Sequence, residues 1–342
     1  MRNYKYILSI ETSCDDTSVA LLRDRSVLSN VIYSQSVHQF YQGVVPELAS
    51  RDHQKKIIPT IDHALALAKM KIKQVHAIAY TVGPGLIGSL LVGSSVAKSL
   101  ALSLNIPLIE VHHMQAHLLV HFIKGAHKKE PAFPFLGVTL SGGHTQIAII
   151  KDVFTFQEIG TTLDDAIGEC FDKCGTLLGF DYPSGHLIDQ LSQKGNPDRF
   201  QFPLPSTPKF HLSYSGLKTA FKNFVLKNIN EDEGFIKNNK ADLCASLQKV
   251  MIEHLTHKIK DAVTKTGLKQ IVFGGGVSCN RFLFKHCHHL FDSSEYRLFF
   301  PPKQYTTDNA AMIGIAGYFK LQKGIIGNLN TTPKAKLNLA HS

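Results

Sequence analysis

The chain has 342 residues, room for about two domains or lobes. Hydrophobic residues at 44% and charged residues at 19% exclude a disordered chain, and 25 Gly with 14 Pro exclude collagen-like and low-complexity sequences. The net charge, 37 − 27 = +10, favours an acidic partner such as nucleic acid and says nothing about fold.

Met1 to Tyr6 runs into an apolar strand pattern without the basic start, apolar run and small-residue cleavage site of a signal peptide. Tyr6 to Leu22 predicts two strands around the polar turn Glu11-Thr12-Ser13-Cys14-Asp15-Asp16-Thr17, with a further strand at Ser29 to Tyr33. Ala49 to Met70 has helical spacing, with Ile57, Ile61, Ala64, Leu65 and Ala68 on one face. A strand at Val75 to Thr81, a turn at Gly83-Pro84-Gly85 and a small-residue helix from Leu86 to Leu104 follow. The most apolar stretch, Ile78 to Val96, is interrupted by Gly83, Pro84, Gly85, Gly88 and Gly93, so no membrane span is expected and the expected compartment is the cytosol. Leu108 to Val111 is a strand and His113 to Phe122 a helix.

A second pass then begins. Phe135 to Leu140 and Gln146 to Ile150 flank the turn Ser141-Gly142-Gly143-His144-Thr145, the same design as Tyr6 to Leu22 about 130 residues earlier. Helices are predicted at Leu163 to Leu178, Gly185 to Lys194, Gly216 to Lys227 and Ala241 to Thr266, around a Pro-rich loop at Asn196 to Ser213. A strand at Ile271 to Phe273 feeds Gly274-Gly275-Gly276, then come a helix at Arg281 to His289, a strand at Arg297 to Phe300 and a helix at Asn309 to Gln322. The basic tail from Lys323 is expected to fray. The whole predicts a duplicated α/β fold with a ligand cleft between lobes, or else two unrelated α/β domains.

Three features carry chemistry. The Ser141 to Thr145 turn is either a plain hairpin or a nest whose backbone N–H groups approach a phosphate. Gly274 to Asn280 opens a helix after a strand, and Asn280 either bonds sugar hydroxyls or caps that helix. Neither is a G-x-G-x-x-G dinucleotide fingerprint or a Walker loop. His113 and His117 are four apart on a helix, which is metal-ligand spacing, against a background of 18 histidines. Met114 follows His113, so the H-E-x-x-H zincin pattern is absent. Asp308 is a third ligand or the N-cap of the last helix; two His and one carboxylate would leave open positions suited to Fe(II) or Zn. Cys170 and Cys174, also four apart, are two small buried residues or a ligand pair.

The polar hairpins and late glycine turn resemble the actin/Hsp70/sugar-kinase superfamily. More narrowly, the chain resembles the tRNA N6-adenosine threonylcarbamoyltransferase family, bacterial branch, from Ile7 to about Tyr318. The resemblance rests on Ile10-Glu11-Thr12-Ser13-Cys14-Asp15, His113-x-x-x-His117, Ser141-Gly142-Gly143-His144-Thr145, Asp164-Asp165-Ala166 with Phe171-Asp172-Lys173, Tyr214-Ser215-Gly216-Leu217-Lys218, Gly274-Gly275-Gly276-Val277-x-x-Asn280 and Thr307-Asp308-Asn309. It implies an α/β, two-lobed fold with a nucleotide cleft, one lobe over 1–112 completed by 309–342 and the other over 113–308. It also implies transfer of a threonylcarbamoyl group from threonylcarbamoyl-AMP to N6 of the adenosine 3′ of the anticodon, in tRNAs reading ANN codons, with release of AMP.

By the same resemblance His113, His117 and Asp308 hold a metal, Fe(II) or alternatively Zn. Thr139, Leu140, Ser141, Gly142, Gly143, Asp172, Gly185, Asp189 and Asn280 hold the adenylate, although Asp172 and Asp189 also read as ordinary solvated or capping aspartates. Asp15 is the candidate for the proton of the attacking amine. The implied partners are tRNA, a paralogous actin-like subunit and a small P-loop ATPase. Candidate tRNA contacts are Lys194, Arg199, Lys209, Lys218 and Lys222, with Lys320, Lys323, Lys334 and Lys336 near the tail. The chain departs from the family pattern at His112 (usually Asn), Asp16 (usually Glu), Gln115-Ala116 (commonly Glu-Gly) and Ser184 (usually Gly). A small-molecule kinase or carbamoyltransferase of the same superfamily, and a non-catalytic scaffold, are the alternative functions.

Overall fold

A computed structural model describes residues 5–340. Residues 1–4 and 341–342, which the sequence reading assigns to the first lobe, lie outside the described residues. The chain divides into two compact units, Met1–Pro131 with Lys151–Gln157 and Pro301–Ser342, and Ala132–Ile150 with Glu158–Phe300.

In the first unit, β1 (Tyr6–Glu11), β2 (Asp16–Arg23), β3 (Ser26–Ser34), β4 (Ala77–Gly83) and β5 (Leu108–His112) form one sheet in the order β3-β2-β1-β4-β5. β1 pairs antiparallel with β2 and parallel with β4, so the hairpin leads and the crossovers follow. Helix α1 (Pro46–Leu67) buries Ile57, Ile61, Ala64 and Leu65, the face its spacing predicts. α1 and α2 (Ile87–Leu104) pack with Leu8, Ile10, Tyr80 and Leu108 in one core. By length and composition α2 is the one helix among the described residues apolar enough to cross a membrane, and 39% of it is buried. The short α3 (His113–Leu119) follows β5 directly, and α9 (Ala310–Gln322) returns to pack on β1 and β2.

The second unit repeats the plan. Its strands are β6 (Phe135–Leu140), β7 (Thr145–Ile150), β8 (Phe156–Thr161), β9 (Gln270–Gly274) and β10 (Arg297–Phe299), in the order β10-β9-β6-β7-β8. β6 pairs antiparallel with β7 and parallel with β9, as β1 does with β2 and β4. Its helices are α4 (Ile167–Leu177), α5 (Gly185–Ser192), α6 (Ser215–Glu231), α7 (Phe235–Thr266) and α8 (Arg281–Leu290). Cys170 and Cys174 lie buried in this core beside Tyr214 and Phe221, so they pack as small apolar residues.

Three expectations change. β8 has no counterpart in the sequence reading, because its partly exposed pattern shows little periodicity. The units part after Pro131 instead of after His112, since α3 packs against α9. The tail beyond Lys323 does not fray: Lys334 N–H donates to Val82 O at 2.8 Å, and Leu339 is 1% exposed.

Candidate metal centre

β5 ends at His112 and α3 begins at His113, with the His112 Nδ1 accepting the Met114 N–H at 3.1 Å. The ring acceptor thus serves as the N-cap of α3. One turn of helix then sets His113 and His117 on one face, their rings 4.7 Å apart and nearly perpendicular. Asp308 comes from the other end of the unit. It does not cap α9; Asn309 does, accepting the Met312 N–H at 3.1 Å. The Asp308 carboxylate is therefore free to turn toward the histidines, with Oδ1 at 3.4 Å from His113 Nε2 and 3.2 Å from His117 Nε2.

The three ligand atoms lie within 4.8 Å of one another. Bonds of about 2.1 Å at tetrahedral angles put ligand atoms about 3.4 Å apart, so these separations suit one divalent ion. The residues fit a metal on a second count. His117 is fully buried, and neither ring nitrogen has a hydrogen bond, although Asp308 Oδ1 stands 3.2 Å from Nε2. An orphaned imidazole costs free energy that coordination of Nε2 would recover.

Behind His113 stands Glu11, at the end of β1 and 0% exposed. Its Oε2 accepts from His113 Nδ1 at 2.9 Å and from Thr81 Oγ1 at 2.6 Å, while Oε1 accepts the Ser13 N–H. A carboxylate behind a ligating imidazole fixes its tautomer and raises its basicity. The sequence reading quoted Glu11 in a motif but gave it no role; the available signal was a carboxylate ending an otherwise buried strand.

Electrostatics follow from the same contacts. Burial alone would lower the pKa of His113, but Asp308 and Glu11 outweigh it and push it up to about 10. Burial opposes ionisation of Glu11 and Asp308 too, yet His113 holds Glu11, and both histidines hold Asp308, below the ordinary carboxylate range. Burial lowers the pKa of His117. Asp15 is half-buried, and burial, with the Asp308 charge, raises its carboxyl. Its neighbour Asp16 is pushed to about 7 by burial, so the carboxyl nearest neutrality here is the one that replaces the usual Glu.

The remaining sequence-predicted positions belong to the second unit. Thr139 and Leu140 end β6, and Thr139 Oγ1 is buried without a partner. Ser141 N–H donates to His144 O at 2.9 Å and closes the turn. Gly142 and Gly143 are exposed, an added Cβ at either meets nothing within 4 Å, and neither has a positive φ. A side chain at Gly143 would therefore meet no backbone strain. The glycine that needs its conformation is Gly275, at φ +87° with a Cβ that would lie 2.4 Å from Leu140 O.

Asp172 and Asp189 both hold helix starts. Asp172 Oδ1 accepts the Ser184 and Gly185 N–H groups at 2.8 and 3.1 Å, and Asp189 Oδ1 accepts the Arg281 N–H at 3.1 Å. Asn280 caps α8 by accepting the Leu283 N–H at 2.9 Å and donates to Gln248 Oε1 at 2.6 Å. Gln248 in turn donates to Ser192 Oγ at 2.7 Å, a buried chain that includes a residue the sequence reading missed. Among the basic candidates, Lys320 is 8% exposed and Lys218 pairs with Asp165, so neither is a free surface cation; the others are exposed.

A model of the tRNA N6-adenosine threonylcarbamoyltransferase family matches residues 26–315. The chain is 49% identical over 330 residues to the tRNA N6-adenosine threonylcarbamoyltransferase of Christiangramia forsetii, covering 96% of this chain and 97% of that one. It is 47% identical to the protein of the same name from Riemerella anatipestifer, covering 97% and 98%. Among solved structures, full-length HypF in its phosphate- and nucleotide-bound form superposes with a TM-score of 0.58 at 14% identity, over 95% of this chain and 47% of that one. Component A of the Acidaminococcus fermentans (R)-2-hydroxyglutaryl-CoA dehydratase does so at 0.56 and 13%, over 93% and 99%. These distant likenesses bear on fold alone and agree with an α/β, actin-like arrangement. With a family model matched across most of its length and relatives near half identical, the chain belongs to the tRNA N6-adenosine threonylcarbamoyltransferase family.

Proposed function

We propose that the chain transfers a threonylcarbamoyl group from threonylcarbamoyl-AMP to N6 of the adenosine 3′ of the anticodon in tRNAs reading ANN codons. The N6 amine forms a bond to the carbamoyl carbon, the bond from that carbon to the AMP phosphate oxygen breaks, and AMP leaves. The observation that carries this reading is the convergence of His113, His117 and Asp308 in a chain of this family. The ion they hold is Fe(II), with Zn the alternative, because two imidazoles and one carboxylate leave positions open. When bound, such an ion supplies Lewis-acid polarisation of the donor.

The chain's own residues do the rest. His113 and His117 would present Nε2 to the ion, and Glu11 accepts the hydrogen bond from His113 Nδ1–H and keeps the ring oriented. Asp15 accepts the proton that the attacking amine loses. The donor is held by Thr139, Leu140, Ser141, Gly142 and Gly143 at its phosphate, and by Asp172, Gly185, Asp189 and Asn280 toward its nucleoside. Open space at the two glycines and the unpartnered Thr139 hydroxyl support that placement.

The protein works in the cytoplasm on tRNA, with a paralogous actin-like subunit and a small P-loop ATPase. The apolar residues Ile87, Leu91 and Leu102, exposed on α2, support a protein partner on that helix. The test is incubation with the adenylate donor and unmodified tRNA, with and without the partners, followed by nucleoside mass spectrometry. Threonylcarbamoyladenosine is the expected product; its absence with all components present refutes the reading.

A further inference from the structure

Residues 327–340 lie outside helices and strands, yet they are fastened along the first unit. Gly327 N–H donates to Leu108 O at 2.8 Å, Asn328 N–H to Glu110 Oε1 at 2.9 Å, and Lys334 N–H to Val82 O at 2.8 Å. Gly85 N–H donates back to Ala335 O at 3.2 Å, and Leu337 packs against the unit's core. This strap ends on the ligand helix. His112 Nε2 donates to Asn338 O at 3.2 Å, Gln115 Nε2 donates to Leu339 O at 2.9 Å, and Leu339 is buried. His112 immediately precedes one metal-ligand candidate, and Gln115 lies between the two.

We propose that the C-terminal strap is a positioning element for the metal centre, with the Asn338 and Leu339 carbonyls fixing the first turn of α3 and thereby the two imidazoles. The proposal rests on the metal reading above. A seven-residue helix is too short to set its own direction, so its ends must be held by tertiary contacts. The strap also acts on the cap. His112 Nδ1 accepts the Met114 N–H, so the ring proton sits on Nε2, where Asn338 O receives it. One imidazole thus ties the helix start to the strap, and it needs one tautomer to do so. Both strap contacts come from positions where this chain departs from its family pattern, His112 and Gln115.

The test is Co(II) titration of the full chain, followed by visible absorption, with thermal melting of the metal-free protein alongside. His112→Ala, Gln115→Ala and Leu339→Asp should each weaken Co(II) binding, by about tenfold for the strongest, the loss expected when a supporting contact behind metal ligands is removed. Metal-free His112→Ala and Gln115→Ala should still fold and melt only a few degrees below wild type, each having lost a cap or a buried hydrogen bond, so the proposal remains testable even if Leu339→Asp fails to fold. His112→Asn should restore only part of the binding, because its Oδ1 can still accept the Met114 N–H while its shorter amide falls short of Asn338 O. Wild-type Co(II) affinity in His112→Ala and Gln115→Ala overturns the strap's role. A wild-type chain that binds no Co(II) overturns the metal reading beneath it.

Discussion

The two units share a strand order and put the same hairpin turn to opposite uses. In the first, Thr12 and Ser13 are buried, and the turn is held from all sides: Leu86 N–H donates to Ser13 O at 2.7 Å, Thr12 Oγ1 to Ser89 O at 2.9 Å, and His53 Nε2 to Cys14 O at 2.9 Å. A Cβ on Gly85 would lie 2.5 Å from Ser13 O, so the backbones touch. In the second, Gly142 and Gly143 stand exposed with nothing within 4 Å of an added Cβ. Duplicated topology fixes where a turn lies. The side chains around it decide whether it braces a buried carboxylate such as Glu11 or stands open to solvent.

The largest test of this division removes the metal ligands. His113→Ala with His117→Ala should abolish bound metal and cut tRNA threonylcarbamoylation by at least about a hundredfold. The double variant should also be destabilised, by about 3 kcal/mol, since loss of His113 leaves the buried Glu11 carboxylate without its partner. Elemental analysis and nucleoside mass spectrometry read both effects, and unchanged metal content would break the assignment.

Next comes a pair of glycines in the second unit. Gly275→Ala should destabilise by about 3 kcal/mol, because φ is +87° and the new Cβ meets Leu140 O. Gly143→Ala should change stability by no more than about 0.5 kcal/mol and weaken binding of a non-hydrolysable adenylate analogue. Urea denaturation and calorimetric titration separate the two. Equal destabilisation would mean that the open turn is structural after all.

A pH effect should also belong to the second unit. His254 is buried, and burial, with Lys258 and His257, lowers its pKa from 6.5 to about 4, while its Nε2 accepts the Ser213 N–H. Between those values the unfolded chain binds the extra proton, so stability should fall as pH drops from 6.5 toward 4, by at most about 3 kcal/mol. His254→Gln should flatten that part of the profile. The smallest effect expected is at Asp164, whose carboxyl is held at about 2, against burial, by Ser213, Ser215 and two N–H groups at the start of α6. Being largely exposed, it should contribute only about 1 kcal/mol. That contribution is present above the ordinary value of 3.8 and lost as pH falls through about 2, and Asp164→Ala should remove it.

Periodicity and spacing alone determined most of the elements, the duplication, and the pairing of His113 with His117. These are properties of neighbours within one turn or one strand, where the chain's own geometry decides. Read from its neighbours alone, Asp308 could cap a helix or face a metal, and the family resemblance implied a ligand. Only the tertiary structure decided that, by giving the cap to Asn309. It also revealed Glu11, 102 residues from the imidazole it supports, and a tail that polar composition marked for fraying. A buried carboxylate and a strap are held by partners distant in sequence, and no local pattern encodes which distant partner the fold will bring alongside.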